Sequence, residues 1–133
     1  DMLQSYLKQF IICTVRVKKE NHVLREDIET RLFKDFSLLV EQNFRELHTV
    51  KAYANRLGIS PKSVTKHFQK LGVIKPSNFI KNRILLEAKR LLIYTDKTVK
   101  EIAFELGFND PAYFTRFFTK ATSKSPLQFK KEY

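Results

Sequence analysis

One cysteine, three glycines, four prolines and no tryptophan occur among the 133 residues. A lone Cys13 excludes an internal disulfide framework and a cysteine-rich zinc site, and it fits a reducing compartment. So little Gly and Pro leaves room for few loops. No apolar run approaches the roughly 18 residues of a spanning helix, and no signal peptide with a cleavage site is visible. A soluble cytoplasmic protein is the expectation. Catalytic signatures are missing as well. His22, His48 and His67 are scattered, with no HExxH pair, Gly-rich phosphate loop or nucleophile motif. No enzyme, metal or cofactor is therefore expected, and Cys13, in the middle of an apolar stripe, reads as a buried thiol.

What is present is hydrophobic content of 43%, twelve Phe, and a net charge of +11. That is enough apolar material for packed helices and argues against disorder. The charge is unevenly placed. Residues 1–49 carry eight basic and eight acidic side chains, whereas residues 50–133 carry seventeen basic and six acidic. The whole excess lies in the second part. Such a balance attracts nucleic acid, an anionic membrane or an acidic protein, and charge alone does not choose among them.

That basic part is one unit written twice. Val50, Lys51, Ala54, Leu57 and Gly58 recur 49 residues later as Val99, Lys100, Ala103, Leu106 and Gly107. The offset then becomes 50: Pro61, Thr65, Phe68, Lys70, Pro76, Phe79 and Lys81 recur as Pro111, Thr115, Phe118, Lys120, Pro126, Phe129 and Lys131. The change of offset falls in a turn, where an insertion costs least. Within the first copy, Val50–Leu57 reads as a helix and Gly58 to Ser60 as a turn. Pro61–Leu71 reads as a second helix, with Ser60 as its cap and Pro61 at its first position. Asp110 and Pro111 play those parts in the second copy. Two helices joined by a tight Gly-containing turn make a helix-turn-helix. Between the copies, residues 76–95 form one long helix with Ile80, Ile84, Ala88 and Leu91 on its stripe. At roughly 30 Å it could hold two recognition helices about one DNA turn apart.

Upstream, residues 31–48 place Leu32, Phe33, Phe36, Leu39, Val40, Phe44 and Leu47 at helical spacing. Residues 20–30 read as a linker or a short helical turn. Residues 2–19 put Leu3, Leu7, Phe10, Thr14 and Val17 on one stripe, as in a helix packing on a neighbouring domain or on its own copy. The chain begins with Asp1 rather than Met, as a piece of something longer would.

In the helix 61–71, Val64, Phe68 and Leu71 define the inner face. Lys62, Thr65, Lys66 and Gln69 lie on another face, and all are polar. In the second copy Phe114, Phe117, Phe118 and Ala121 form the apolar set, leaving Ala112, Thr115, Arg116 and Thr119 outside. Arg and Lys can donate to guanine O6 and N7, and Ala or Thr methyls can touch thymine. Any amphipathic helix shows Lys and Thr on its wet face. Recurrence in two such units that carry the net charge favours the base-reading interpretation. Lys75, Lys124 and Ser125, with Ser63 and Lys120, are candidates for phosphate contact, which positions without specifying. Lys130 and Lys131 read as a solvated basic tail.

Residues 34–133 resemble the DNA-binding domain of the AraC/XylS family of bacterial transcription regulators. The likeness is strongest in IAFELGFNDPAYFTRFFTKATSKSPLQFKK, where Ile102, Ala103, Gly107, Phe108, Asp110, Tyr113, Phe114, Arg116, Phe118, Lys120 and Pro126 match the family signature. The resemblance implies an all-α fold in which two helix-turn-helix subdomains, about 50–71 and 98–121, are joined by a linker helix, about 76–95, and preceded by an N-terminal helix. It also implies recognition helices in adjacent major-groove segments of double-stranded DNA. By position, Lys62, Thr65 and Lys66, and Ala112, Thr115 and Arg116, become base-facing. Arg83 matches a family arginine for which a salt bridge and a phosphate contact are equally open. Residues 1–30 would be the tail helix and linker of a sensory domain lying upstream, and residues 31–133 the DNA-binding domain. Helix 2–19 would dimerise the regulator, RNA polymerase would be a further partner, and the location would be cytoplasmic and nucleoid-associated. The family pattern is departed from at Ser123, where a glycine is usual, and at Gly72, which lies one place early. The first unit departs further, with Ser63, Val64 and Lys66 in place of the usual aromatic, Leu and Arg. The competing interpretation is a basic helical RNA- or protein-interaction module without sequence-specific DNA binding. RNA readers usually display aromatic stacking platforms, whereas these aromatics fall on core faces.

Overall fold

The computed structural model describes residues 27–133, and every regular element in them is helical. In chain order these are α1 (Ile28–Asn43), α2 (Val50–Leu57), α3 (Pro61–Leu71), α4 (Pro76–Tyr94), α5 (Val99–Glu105), α6 (Pro111–Thr122) and α7 (Pro126–Glu132). The expected all-α architecture of two helix-turn-helix units on a long helix is what is observed. The helix and dimer contact expected over residues 2–19, with Cys13, lie outside the described residues.

Five of the seven described helices start where a side chain satisfies an orphan amide. Thr49, Ser60, Thr98, Asp110 and Ser125 each accept a hydrogen bond from an amide in the first turn of the helix that follows. Such caps are worth about 1 kcal/mol apiece. Proline fills the opening position of α3, α4, α6 and α7, where the missing N–H costs nothing. Gly58 and Gly72 end α2 and α3 in the left-handed region. Ser123 ends α6 the same way at φ 64°, the one non-glycine among the described residues to do so.

The helix expected over 31–48 is displaced. It begins at Ile28, three residues earlier, and ends at Asn43. Asn43 turns its own side chain back, its Nδ2 donating to the Leu39 carbonyl at 2.9 Å, while its carbonyl accepts from Glu46 and Leu47 in a tight turn. Apolar spacing continues through Phe44 and Leu47, which is why periodicity overran the true end.

Phe33 and Phe36 of α1 meet Phe68 of α3 and Phe79 of α4 in edge-on and tilted ring pairs with centroids 5.0–5.9 Å apart. Tyr53 lies beneath them, fully buried, its hydroxyl donating to the Leu47 carbonyl at 2.8 Å. Burial pushes that phenol up to about 12. The second unit packs Ile102, Ala103, Leu106, Phe108, Phe114, Phe118 and Phe129 around its own centre. Helix α4 touches α1, α2 and α3 on one side and α5 and α7 on the other, so the two cores are continuous through it. Its stripe of Ile80, Ile84, Ala88 and Leu91 is buried as the spacing requires.

Candidate nucleic-acid interface

Burial of Val64 and Phe68 fixes the rotation of α3 about its axis. Lys62, Lys66 and Gln69 then stand exposed and Thr65 is half-buried. The four side chains line an open groove of about 360 Å³ whose far wall is Lys75, Pro76 and Ser77, at the start of α4. Lys75, expected as a phosphate contact, is thus brought beside the residues expected to face bases. Thr65 donates its hydroxyl to the Pro61 carbonyl at 3.1 Å, so towards a ligand it offers a methyl and an acceptor. Ser63 belongs to the cap instead, its amide and hydroxyl both bonded to Ser60 Oγ.

In α6 the fully buried Phe114 and Phe118 play the orienting part. Ala112, Arg116, Thr119 and Lys120 are exposed, and Thr115 is half-buried beside them. The Arg116 guanidinium lies 5.9 Å from the Tyr113 ring, which supports it without neutralising it. Ala121, expected on the apolar side, is exposed. It sits one turn beyond the rings that reach the core, and with Phe117 and Lys120 it lines a second groove of about 310 Å³ against Asn78, Lys81, Asn82 and Leu85 of α4.

Two of the remaining phosphate candidates are already engaged. Lys124 is ion-paired with Glu132, which holds its ammonium above the usual lysine range. Ser125 closes a capping box, its hydroxyl accepting from the Gln128 amide at 3.1 Å while its own amide donates to the Gln128 side chain. Lys124 and Ser125 are therefore structural first, and a phosphate there would have to displace those partners.

Ion pairing engages some of the cations. Arg83 is held by Glu41 through two hydrogen bonds of 2.8 and 3.1 Å and lies 3.9 Å from the Phe44 ring, so the salt-bridge role is the one it has. Next to it the buried Glu87 accepts from Arg45, Arg83 and Arg90. Burial pushes the Glu87 carboxyl up, but the hydrogen bond and charge of Arg90, helped by Arg83 and Arg45, outweigh it and leave the group below its ordinary value. Lys70 reaches Glu29, and Lys97 reaches Glu105. By contrast Lys62, Lys66, Lys75, Lys81, Lys120 and Arg116 have no carboxylate partner among the described residues. These six lie on α3, on α6 or at the start of α4, and Arg31, Lys51, Arg56, Lys89, Lys100, Lys130 and Lys131 are likewise without such a partner.

The relation of the two units also depends on a contact that periodicity did not reveal. His48 Nε2 hydrogen-bonds the Leu106 carbonyl at 2.7 Å, and its ring lies 4.8 Å from that of Phe108, tilted by 50°. Gly107 lies against the same segment with φ 88°, where a Cβ would come within 2.1 Å of the Arg45 carbonyl oxygen. The connection after α1 is thus docked on the turn of the second unit. The signals were a glycine shared by both copies and a histidine just before α2, and neither names its partner.

A family model described as a helix-turn-helix domain matches residues 53–132. The HTH-type transcriptional regulator YijO of Escherichia coli K12 is 33% identical over 102 residues, covering 77% of this chain and 36% of its own length. The chain therefore spans about a third of that relative. In fold it is similar to the C-terminal domain of AraT, a response regulator from Geobacillus stearothermophilus, with a TM-score of 0.72 at 24% identity over 80% of this chain and 89% of that one. The DNA-binding domain of AdpA, a global transcriptional factor solved in complex with a target DNA, gives 0.66 at 25% identity over 77% and 91%. Two helix-turn-helix units on one linker helix, together with these matches, mean that the chain belongs to the AraC-type helix-turn-helix family of transcriptional regulators.

Proposed function

We propose that this chain is the sequence-reading part of a transcription regulator, binding duplex DNA by laying α3 and α6 in adjacent major-groove segments. The observation that carries the proposal is the exposed polar face of each second helix: Lys62, Lys66 and Lys75 border one groove, Lys81 and Lys120 another, and these lysines and Arg116 have no carboxylate partner among the described residues, whereas Lys70 of α3 is held by Glu29. An unpaired cation on a fixed surface is available to a phosphate or a guanine. Lys62, Thr65, Lys66 and Gln69 face the bases from the first unit, and Ala112, Thr115 and Arg116 from the second. Lys75 and Lys120 hold phosphates. Ser63, Lys124 and Ser125 contribute at most through the amides and caps they already order.

In this role the chain positions and specifies, and it has no catalytic part. Residues 31–133 act as the DNA-binding domain, with a sensory domain upstream, dimerisation through residues 2–19 and contact with RNA polymerase as properties of the whole regulator. Sedimentation tests the dimer contact, since a monomer at high micromolar concentration would count against it. Selection from a random duplex library tests the main reading. Enrichment of a two-part site spanning two major-groove segments is expected, with affinity falling steeply as salt rises and RNA failing to compete. Salt-independent binding, or equal competition by RNA, would overturn it.

A further inference from the structure

The two grooves beside α3 and α6 open on the same stretch of α4. Lys75, Pro76 and Ser77 wall the first, and Asn78, Lys81 and Asn82 wall the second. One helical turn of α4 therefore joins the two reading surfaces. Asn78, Lys81 and Asn82 are spaced i, i+3 and i+4, so they share a face of α4, and all three are exposed. No carboxylate lines either groove. Lys81 has no ion-pair partner among the described residues, while Arg83, two positions on, is turned away and bound to Glu41. Lys120 approaches the same groove from α6.

Where two recognition helices enter successive major-groove segments on one side of a duplex, the entries are roughly 34 Å apart. Midway between them the same side of the DNA presents its minor groove, bordered by phosphates. From these placements we infer that the Asn78, Lys81 and Asn82 face of the linker helix is a third DNA contact, with Lys81 neutralising a phosphate of the central segment and Asn78 and Asn82 donating amide hydrogen bonds to the neighbouring backbone. This inference rests on the DNA-reading proposal above. The linker helix then serves as a contact as well as a spacer. Backbone contacts of this kind fix the register of both readers without adding sequence preference.

The probe is a duplex recovered by the unaltered full chain from a random library, titrated by fluorescence anisotropy at several salt concentrations. Lys81→Ala is expected to weaken binding roughly three- to tenfold at low salt and to lower the slope of log affinity against log salt by about one. The relative order of affinities for mismatched sites should stay the same. Asn82→Lys should do the reverse, tightening binding and steepening the slope. On a duplex whose central phosphates are replaced by uncharged methylphosphonates, the penalty of Lys81→Ala should disappear. Lys81→Ala with unchanged affinity and slope, beside a chain that binds its selected duplex normally, overturns the inference and leaves the proposed function standing. A penalty that persists undiminished on the methylphosphonate duplex also overturns it. Failure of the unaltered chain to bind any duplex in a salt-dependent way overturns the proposed function itself.

Discussion

The two helix-turn-helix units descend from one pattern yet stand differently in the molecule. Gly58 ends α2 in the first unit with nothing within 4 Å of the place its Cβ would take. Gly107, at the repeated position, is pressed onto the Arg45 carbonyl. The first glycine answers a backbone angle alone, and the second answers an angle and a contact. The first unit instead gains α1, whose Phe33 and Phe36 complete its core and whose Glu29 ties down His67 and Lys70 of α3. The second has no such extra helix and leans on α4, α7 and the His48 connection. Equal sequence units thus need unequal support, and the contact that supports the second also joins it to the first.

Alanine at the two glycines breaks this comparison most sharply. Gly107→Ala should cost about 4 kcal/mol, since it adds an overlap with backbone to the left-handed penalty, whereas Gly58→Ala should cost only about 1–2 kcal/mol. Chemical denaturation of the two variants checks the difference, and equal losses would mean that the Gly107 approach is not fixed. Next in size is Glu87→Gln, which leaves three arginines without their shared carboxylate. About 3 kcal/mol is expected, at the low end for a broken buried pair because Arg45 and Arg90 keep much of their exposure. The sign of its pH dependence follows from a carboxyl held below its ordinary 4.5 in the folded state. The stabilisation is complete above 4.5 and is lost as pH falls through the lower folded value. Thermal melts of the parent chain and Glu87→Gln should therefore converge in acid, and parallel curves would deny the linkage.

The readers themselves are compared by binding. Arg116→Ala should cost ~1–3 kcal/mol on a selected site and relax base choice there. Lys66→Ala, in the base-facing set of the first unit, should also weaken a selected duplex more than a random one. Equal losses on both duplexes for either variant would make that residue a backbone contact. The smallest effect is expected at the unit ends. Ser123→Gly should stabilise the protein by about 1 kcal/mol, because Ser123 holds a left-handed angle that Gly72 adopts without strain. A melting temperature that does not rise would show that the Thr122 and Lys124 turn compensates the strain.

The orientation of the candidate interface helices could be read from spacing, because rotation of a helix is set by which residues are buried and those recur every three or four positions. Val64 with Phe68, and Phe114 with Phe118, orient α3 and α6 as their periodicity required. Ala121 shows the limit: it continued the stripe of α6 in sequence but lies beyond the end of the core it would have joined. Lys124 and Ser125 show another, since a basic and a hydroxyl residue near a helix start look alike whether they serve a ligand or the helix. Only the positions of Glu132 and Gln128 show that both residues also serve the helix.

By itself the amino-acid sequence determined the caps, the helix-opening prolines, the apolar stripes and the duplication, all of which act within a few residues of one another. Tertiary structure alone decided that Glu87 gathers three arginines, and that His48 and Arg45 close on Leu106 and Gly107. The last pairing joins residues about sixty positions apart, too far for any local pattern to encode. It exists because both cores pack on one helix, α4, which brings the end of the first support against the turn of the second unit.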